Sequence, residues 1–170
     1  GLGNEEEALV VEILSIDGSF LATPDQIVLL QNSLRKFFLD PQVPLLGHNA
    51  GQYDRLCVES WLGITPNLTC DTILLHLLAD NELPHNLGFV GSFYTDNPEA
   101  WKADHTAVEA KTDEELHIYC GKDVCVTARI APPLARDVKK RQQQHLLPRE
   151  HMLQSLGATM ERVGMGVDLG

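Results

Sequence analysis

Basic residues are scarce in this 170-residue chain. Lysine and arginine number 13 against 24 aspartates and glutamates, giving a formal net charge of −11. Binding to a phosphate backbone normally rests on Lys and Arg, so the balance argues against a stand-alone duplex-binding protein. Metal-dependent nucleases are a partial exception, because bound cations neutralise carboxylates and touch phosphate themselves. The basic run Lys139-Lys140-Arg141 reads as a solvated helix end rather than a binding patch. Paired cysteines are also missing. Cys57, Cys70, Cys120 and Cys125 show no C-x-x-C spacing, so they read as buried thiols in a reducing compartment, not as a zinc site or disulfide frame. The seven histidines are scattered, with no H-E-x-x-H pattern. No apolar run reaches bilayer-spanning length and no secretory leader precedes the first strand, so no membrane partner is expected. The chain opens on Gly1 rather than methionine, which suits an amino end other than the native one.

What is present fits one globular domain with a real core: 44% of residues are hydrophobic and 22% charged. The organising stretch is Leu45–Asp54, LLGHNAGQYD. Its apolar start predicts a buried strand, and its polar end falls where that strand meets a helix. Ligands of open α/β sheets collect at the carboxyl ends of strands. A carboxylate there is well aimed at a metal or phosphate. Far downstream, Leu116–Thr127 (LHIYCGKDVCVT) places Tyr119 and Asp123 one turn apart on a helix face. Two acidic sites on separate helices, one with a neighbouring tyrosine, suggest metal-assisted attack on a phosphodiester. A lone aspartate after a turn is usually a solvated cap, and Tyr-x-x-x-Asp recurs by chance. The two in this order are more specific.

Along the chain, the acidic lead Gly1–Glu7 has no periodicity. Ala8–Ile16 predicts a strand, Asp17-Gly18 a tight turn, and Ser19–Ala22 a short return strand. Thr23-Pro24 opens a helix with an apolar face at Ile27, Val28, Leu30, Leu34, Phe37 and Phe38. Pro44–Leu46 is the next strand. A helix over Gln52–Leu62 follows, with Leu56, Val58 and Trp61 in the core and Gly63 as its stop. Asn67–Asp71 predicts a short strand. Asp71 at its end is a third candidate carboxylate, for which capping of the helix over Thr72–Leu78 is the plainer role. Leu83–Lys102 predicts a helix and loop on the sheet, with Leu87, Phe89, Val90 and Phe93 inward and Trp101 at the end. Asp104–Lys111 is polar. Thr112-x-x-Glu115 is a capping box, and Pro132-Pro133 is expected to break the helix it starts. From Pro148, an apolar stripe runs through Met152, Leu153, Leu156 and Met160, as expected of a structural helix in contact with a further domain.

Asn49-x-x-x-Tyr53-Asp54 and Tyr119-x-x-x-Asp123 resemble the second and third motifs of the DEDDy 3′–5′ exonucleases. Leu83–Lys102 is similar to the LPH-x-L-x-F-x-x-S-x-YT-x-x-P-x-WK stretch of exonuclease domains in family A DNA polymerases, and is worded differently from the ribonuclease D branch. Met160–Asp168, ME-x-x-G-x-x-VD, resembles the run that leads into the polymerase domain of those enzymes. The resemblance implies an α/β fold: a ribonuclease H-like mixed sheet flanked by helices. The family's first motif, Asp-x-Glu on the first strand, has no counterpart. Glu5-Glu6-Glu7 follows no apolar strand. The chain therefore reads as a piece missing its first central strand, with a gap or a non-family pairing expected between Ala8–Ile16 and Pro44–Leu46. Residues 1–147 would be a partial 3′–5′ exonuclease domain, and 148–170 a helix leading into a polymerase domain.

In the family, two divalent cations (Mg²⁺ or Mn²⁺) sit about 3.5–4 Å apart among four carboxylates. By resemblance Asp54 and Asp123 are two of these ligands, and Tyr119 orients or helps deprotonate the attacking water. Asn49 would shape the site near the primer end, with Tyr53 packed beside it. His48, in the same turn, suits a hydrogen bond near the substrate better than metal ligation. The implied substrate is a single-stranded DNA 3′ end, in proofreading. The implied partner is a covalently linked polymerase domain, in a cytoplasmic (bacterial or phage-like) or organellar setting. With half the ligand set absent, little or no activity is expected of this piece. A non-catalytic exonuclease-like scaffold, a ribonuclease D-like RNA exonuclease and a generic α/β binding module are the other readings.

Overall fold

The computed structural model of the chain describes residues 1–15, 17–19, 21–95 and 112–164. Ile16 and Phe20 of the predicted hairpin lie outside the described residues. So do Trp101 and Lys102, the polar stretch Asp104–Lys111, and the Met165–Asp168 end of the last motif. The fold is mixed α/β, mostly helical with two small sheets. Its elements are β1 (Leu2–Gly3), β2 (Ala8–Leu9), α1 (Pro24–Leu39), β3 (Leu45–Gly47), α2 (Tyr53–Leu62), β4 (Leu68–Asp71), α3 (Thr72–Ala79), α4 (Leu87–Tyr94), α5 (Asp113–Lys140) and α6 (Leu147–Val163). A 3₁₀ turn over Gln144–Leu146 precedes α6.

β1 and β2 pair antiparallel, Leu2 opposite Leu9 and Gly3 opposite Ala8. β3 and β4 pair parallel, with a register shift between Leu45 and Leu46. Among the described residues nothing joins the two sheets. Both rest on α5, which packs against β1, β2 and β3 and so spans the gap between them. Gly3 allows the close approach: a Cβ there would meet the Ala8 Cα at 2.8 Å and the Val124 Cγ1 of α5 at 3.0 Å. Among the described residues, the strand expected over Ala8–Ile16 is a β-strand at Ala8–Leu9 and a single bridge residue at Leu14. Its neighbour β1 is a two-residue stub, so the β1–β2 ladder ends at Leu9, and the chain meets its next backbone partners only across the turn at Asp17-Gly18. The predicted turn does form, with Gly18 at φ +83°. Its bonds run from the Ser15 amide to the Ser19 carbonyl (2.9 Å) and from the Leu21 amide to the Ile13 carbonyl (3.1 Å).

The core lies between α3, α4 and α5. Leu75, Leu78, Leu87, Val90, Val126, Ile130, Leu134 and Val138 interlock there. α5 runs unbroken for 28 residues through Pro132 and Pro133, correcting the expected interruption. Each proline removes an i→i−4 donor, normally worth about 3 kcal/mol in a helix interior. Ile130 and Leu134, both wholly buried on either side of the pair, hold the helix on its course. α1 has the predicted start, since Thr23 and Gln26 close a capping box behind Pro24. Its apolar face, however, buries no residue. Polar links hold it to the end of α2, including Arg35 Nε to the Leu62 carbonyl at 2.8 Å. In α2 the buried side chain is Leu62 rather than Leu56, Val58 or Trp61, and Gly63 ends the helix at φ +67°. Phe93 is exposed, with its ring tilted against that of Phe89. Of the four thiols Cys57 is exposed and the other three half-buried, so the expected burial holds only in part.

α6 folds back onto α2 and α3 rather than standing clear of the rest of the chain. Its inward side is polar: Gln52 bonds Glu161, Arg55 bonds Ser155, and only Ala158 is fully buried. Met152, Leu153, Leu156 and Met160, the predicted stripe, face outward.

Candidate functional site

The loop after β3 is built around one buried carboxylate. Asp71 is completely enclosed and ends β4. A carboxylate taken out of water is costly unless hydrogen bonds replace its hydration. Here four donors do so, two per oxygen. Oδ1 accepts from the Asn49 amide (2.7 Å) and the Ile73 amide (3.2 Å). Oδ2 accepts from the Gly51 amide (3.0 Å) and Gln154 Nε2 of α6 (2.7 Å). The Ile73 bond is the predicted cap of α3. The other three go further, since they pin the loop from Gly47 to Gly51 in space. Gly47 needs its bare Cα here, since a Cβ would collide with Ala50, while at Gly51 a Cβ would displace the Gln154 amide.

That loop holds Asn49 at φ +60°, a left-handed conformation that Asn tolerates better than most residues. His48 beside it is clamped from both ring nitrogens. Nε2 lies 2.8 Å from the His85 carbonyl oxygen and must carry a proton to bond it. Nδ1 lies 2.8 Å from the Thr72 hydroxyl. Thr72 Oγ1 is also 3.1 Å from the Gly47 carbonyl, so its single proton serves one of the two. His85 in turn meets the buried His76 of α3, Nδ1 to Nδ1 at 2.7 Å. Burial, and then the neighbouring His85, hold the His76 pKa below its ordinary value.

These residues wall a cleft of about 400 Å³ lined by His48, Asn49, Ile73, His85, Asn86, Leu87 and Asp123. Three predicted site residues, His48, Asn49 and Asp123, thus meet at one place, reached from the carboxyl end of β3 and from the middle of α5. Tyr119, one turn earlier on α5 and half-buried, is not part of the lining. Asp54 is not either. It lies in the first turn of α2, exposed at its outer edge, where partial desolvation and then the charge of Asp71 raise its pKa. The wet edge limits that effect. Among the described residues no three His, Cys, Asp or Glu side chains gather as a metal site. Tyr53 is 70% exposed rather than packed beside the site; Leu62, at the far end of α2, takes the buried position instead.

Sequence reading missed His85, Asn86 and Gln154. Asn86 had a readable signal, because it caps α4 through the Phe89 amide (2.9 Å) just before an apolar run. Gln154 had none, being a single polar residue inside an apolar stripe. In comparisons with known proteins, the chain matches no family model, no curated protein and no solved structure.

Proposed function

We propose that this chain is part of a nucleic-acid-processing domain of the 3′–5′ exonuclease type, with the ribonuclease H-like architecture of proofreading domains in family A DNA polymerases. The observation that carries it is the cleft, in which the Asn49 turn at the end of β3 faces Asp123 of α5. Those are the two places where the motif resemblance puts site residues. The imidazole and amide groups of the cleft can stack on and hydrogen-bond the end of a single strand, while the positive charge that such sites also use would come from the family's cations. That fits a chain with so few basic residues.

The cations implied by the family would supply charge stabilisation at the phosphate. Asp54 and Asp123 offer hard oxygen donors of the right kind, but the described residues do not assemble a full ligand set. Hydrolysis is accordingly assigned to the intact domain and not to these residues alone. A non-catalytic domain that supports a polymerase is the second reading. It is favoured by one observation: Asp54 does not line the cleft that Asp123 enters.

The test is degradation of a 3′-labelled single strand in Mg²⁺ or Mn²⁺ by this chain and by a longer version carrying an upstream Asp-x-Glu strand. Small misplacements of reacting groups cost ~10²-fold, so the short chain should be slower by at least that factor. In the longer version, Asp54→Ala and Asp123→Ala should abolish activity and Tyr119→Phe reduce it. Asn49→Gly, which keeps the left-handed turn and removes only the amide, should weaken binding without unfolding. A longer version indifferent to Asp54 and Asp123 would overturn the nuclease reading and leave the scaffold.

A further inference from the structure

Gln154 reaches the site from an unexpected direction. It belongs to α6, the helix expected to lead away from the domain, yet its Nε2 is 2.7 Å from the buried Oδ2 of Asp71. The same oxygen receives the Gly51 amide at 3.0 Å, and the other oxygen receives the Asn49 amide at 2.7 Å. The Gln154 amide occupies the space that a side chain at Gly51 would fill. It therefore touches the loop twice, by a hydrogen bond to the carboxylate that organises it and by contact with its glycine.

We propose that Gln154 is a positioning residue for the cleft: by completing the four donors around Asp71 it fixes the Gly47–Gly51 backbone that carries Asn49. Among the described residues the Asp71 carboxylate is held by these four neutral donors, and its burial depends on them. Removing one leaves an under-satisfied buried charge, which is relieved by loosening whatever can move. α3 is anchored in the core and cannot. The loop can, and Asn49 moves with it. α6 thereby acts on the site from behind its lining, coupled through Gln154 to the turn that carries Asn49. For its ligand the proposal rests on the reading of the cleft as a site for a single-stranded 3′ end.

The test uses the whole chain with Gln154→Met, which keeps length and removes the donor, and Gly51→Ala, which evicts the Gln154 amide by filling its place. Both should shift the Asn49 and Gly51 amide resonances and speed their hydrogen exchange by about three- to tenfold, the factor for one hydrogen bond. The double variant should be no worse than either single one, because both break the same contact. Met152→Ser, on the outer face of α6, should leave both amides unchanged. Unchanged amides in Gln154→Met, or additive effects in the double variant, would overturn the proposal. A fluorescent single-stranded oligothymidylate supplies the second readout, with affinity expected to fall by a similar factor in Gln154→Met. If the unaltered chain fails to bind it, the nucleic-acid reading falls, and the positioning role is decided by the amides alone.

Discussion

His76 and His85 share one hydrogen bond between their Nδ1 atoms, so one nitrogen must be bare while the other carries a proton. A proton added to the accepting Nδ1 would leave two donors facing each other. Around them lie the Tyr94 ring, edge-on to His76, the carboxylate of Asp80, which favours protonation, and His48, which opposes it. The net effect is a lowered pKa for His76, with burial as its first cause. The sign follows directly. Below the ordinary histidine value of 6.5 the unfolded chain binds a proton that the folded chain refuses, so stability is complete above that pH and drains away as pH falls through it. Urea unfolding from pH 8 to pH 5 should show this loss, and His76→Gln, with no proton to gain, should flatten it. An equally steep profile in the variant would place the titrating group elsewhere. Residues of this kind were only half legible. Caps such as Thr23, Thr112 and Asp71 could be read because cap and helix are neighbours in the chain. The His76–His85 and Asp71–Gln154 contacts depend on how distant segments meet, and no local pattern encodes that.

Helix α5 gives the clearest separation between what periodicity tells and what packing decides. Its start at Thr112, whose hydroxyl accepts the Glu115 amide at 3.2 Å, was legible. Its passage through two prolines was not, because proline's local cost is large and the compensating burial of Ile130 and Leu134 is tertiary. The reverse holds for α1, where a regular apolar face was legible but Val28 stays 54% exposed and no residue of the helix is buried among the described residues. Periodicity names a face and does not supply its partner. The balance in α5 can be measured. Pro132 is exposed, so Pro132→Ala restores a backbone donor without disturbing the core, and it should stabilise by about 1–3 kcal/mol. Ile130→Ala removes a fully buried side chain and should cost about 2–5 kcal/mol. If Pro132→Ala destabilises instead, the proline is tolerated for a packing reason that burial alone does not show.

At the scale of the whole molecule, α5 crosses a space that no strand fills among the described residues, with the β1–β2 pair on one side and β3–β4 on the other. Apolar residues on both sides are left open: Leu9 is 63% exposed and Leu46, in the middle of β3, 38%. The outer face of α6 adds Met152 at 64% and Met160 at 65%. Exposed apolar side chains that join into one patch mark an interaction site or an incomplete core, whereas scattered ones are ordinary. Under the proposed exonuclease-type reading, a strand lying between the two sheets would account for the first group, since it would give β2 and β3 a common neighbour. It would not account for α6, which lies on the other side of the Asp71 loop, against α2. The chain alone should therefore bind the dye ANS while unfolding with weak cooperativity, as loosely closed cores do. A longer version supplying the upstream strand should lose part of that fluorescence and protect the amides of Ala8–Leu9 and Leu45–Gly47 from exchange, leaving the contribution of α6 in place. Protection that stays flat at both sheets would mean that the gap is not a strand site. The proposed exonuclease-type architecture would then lose its support, while the cleft between Asn49 and Asp123 would remain to be explained by another ligand.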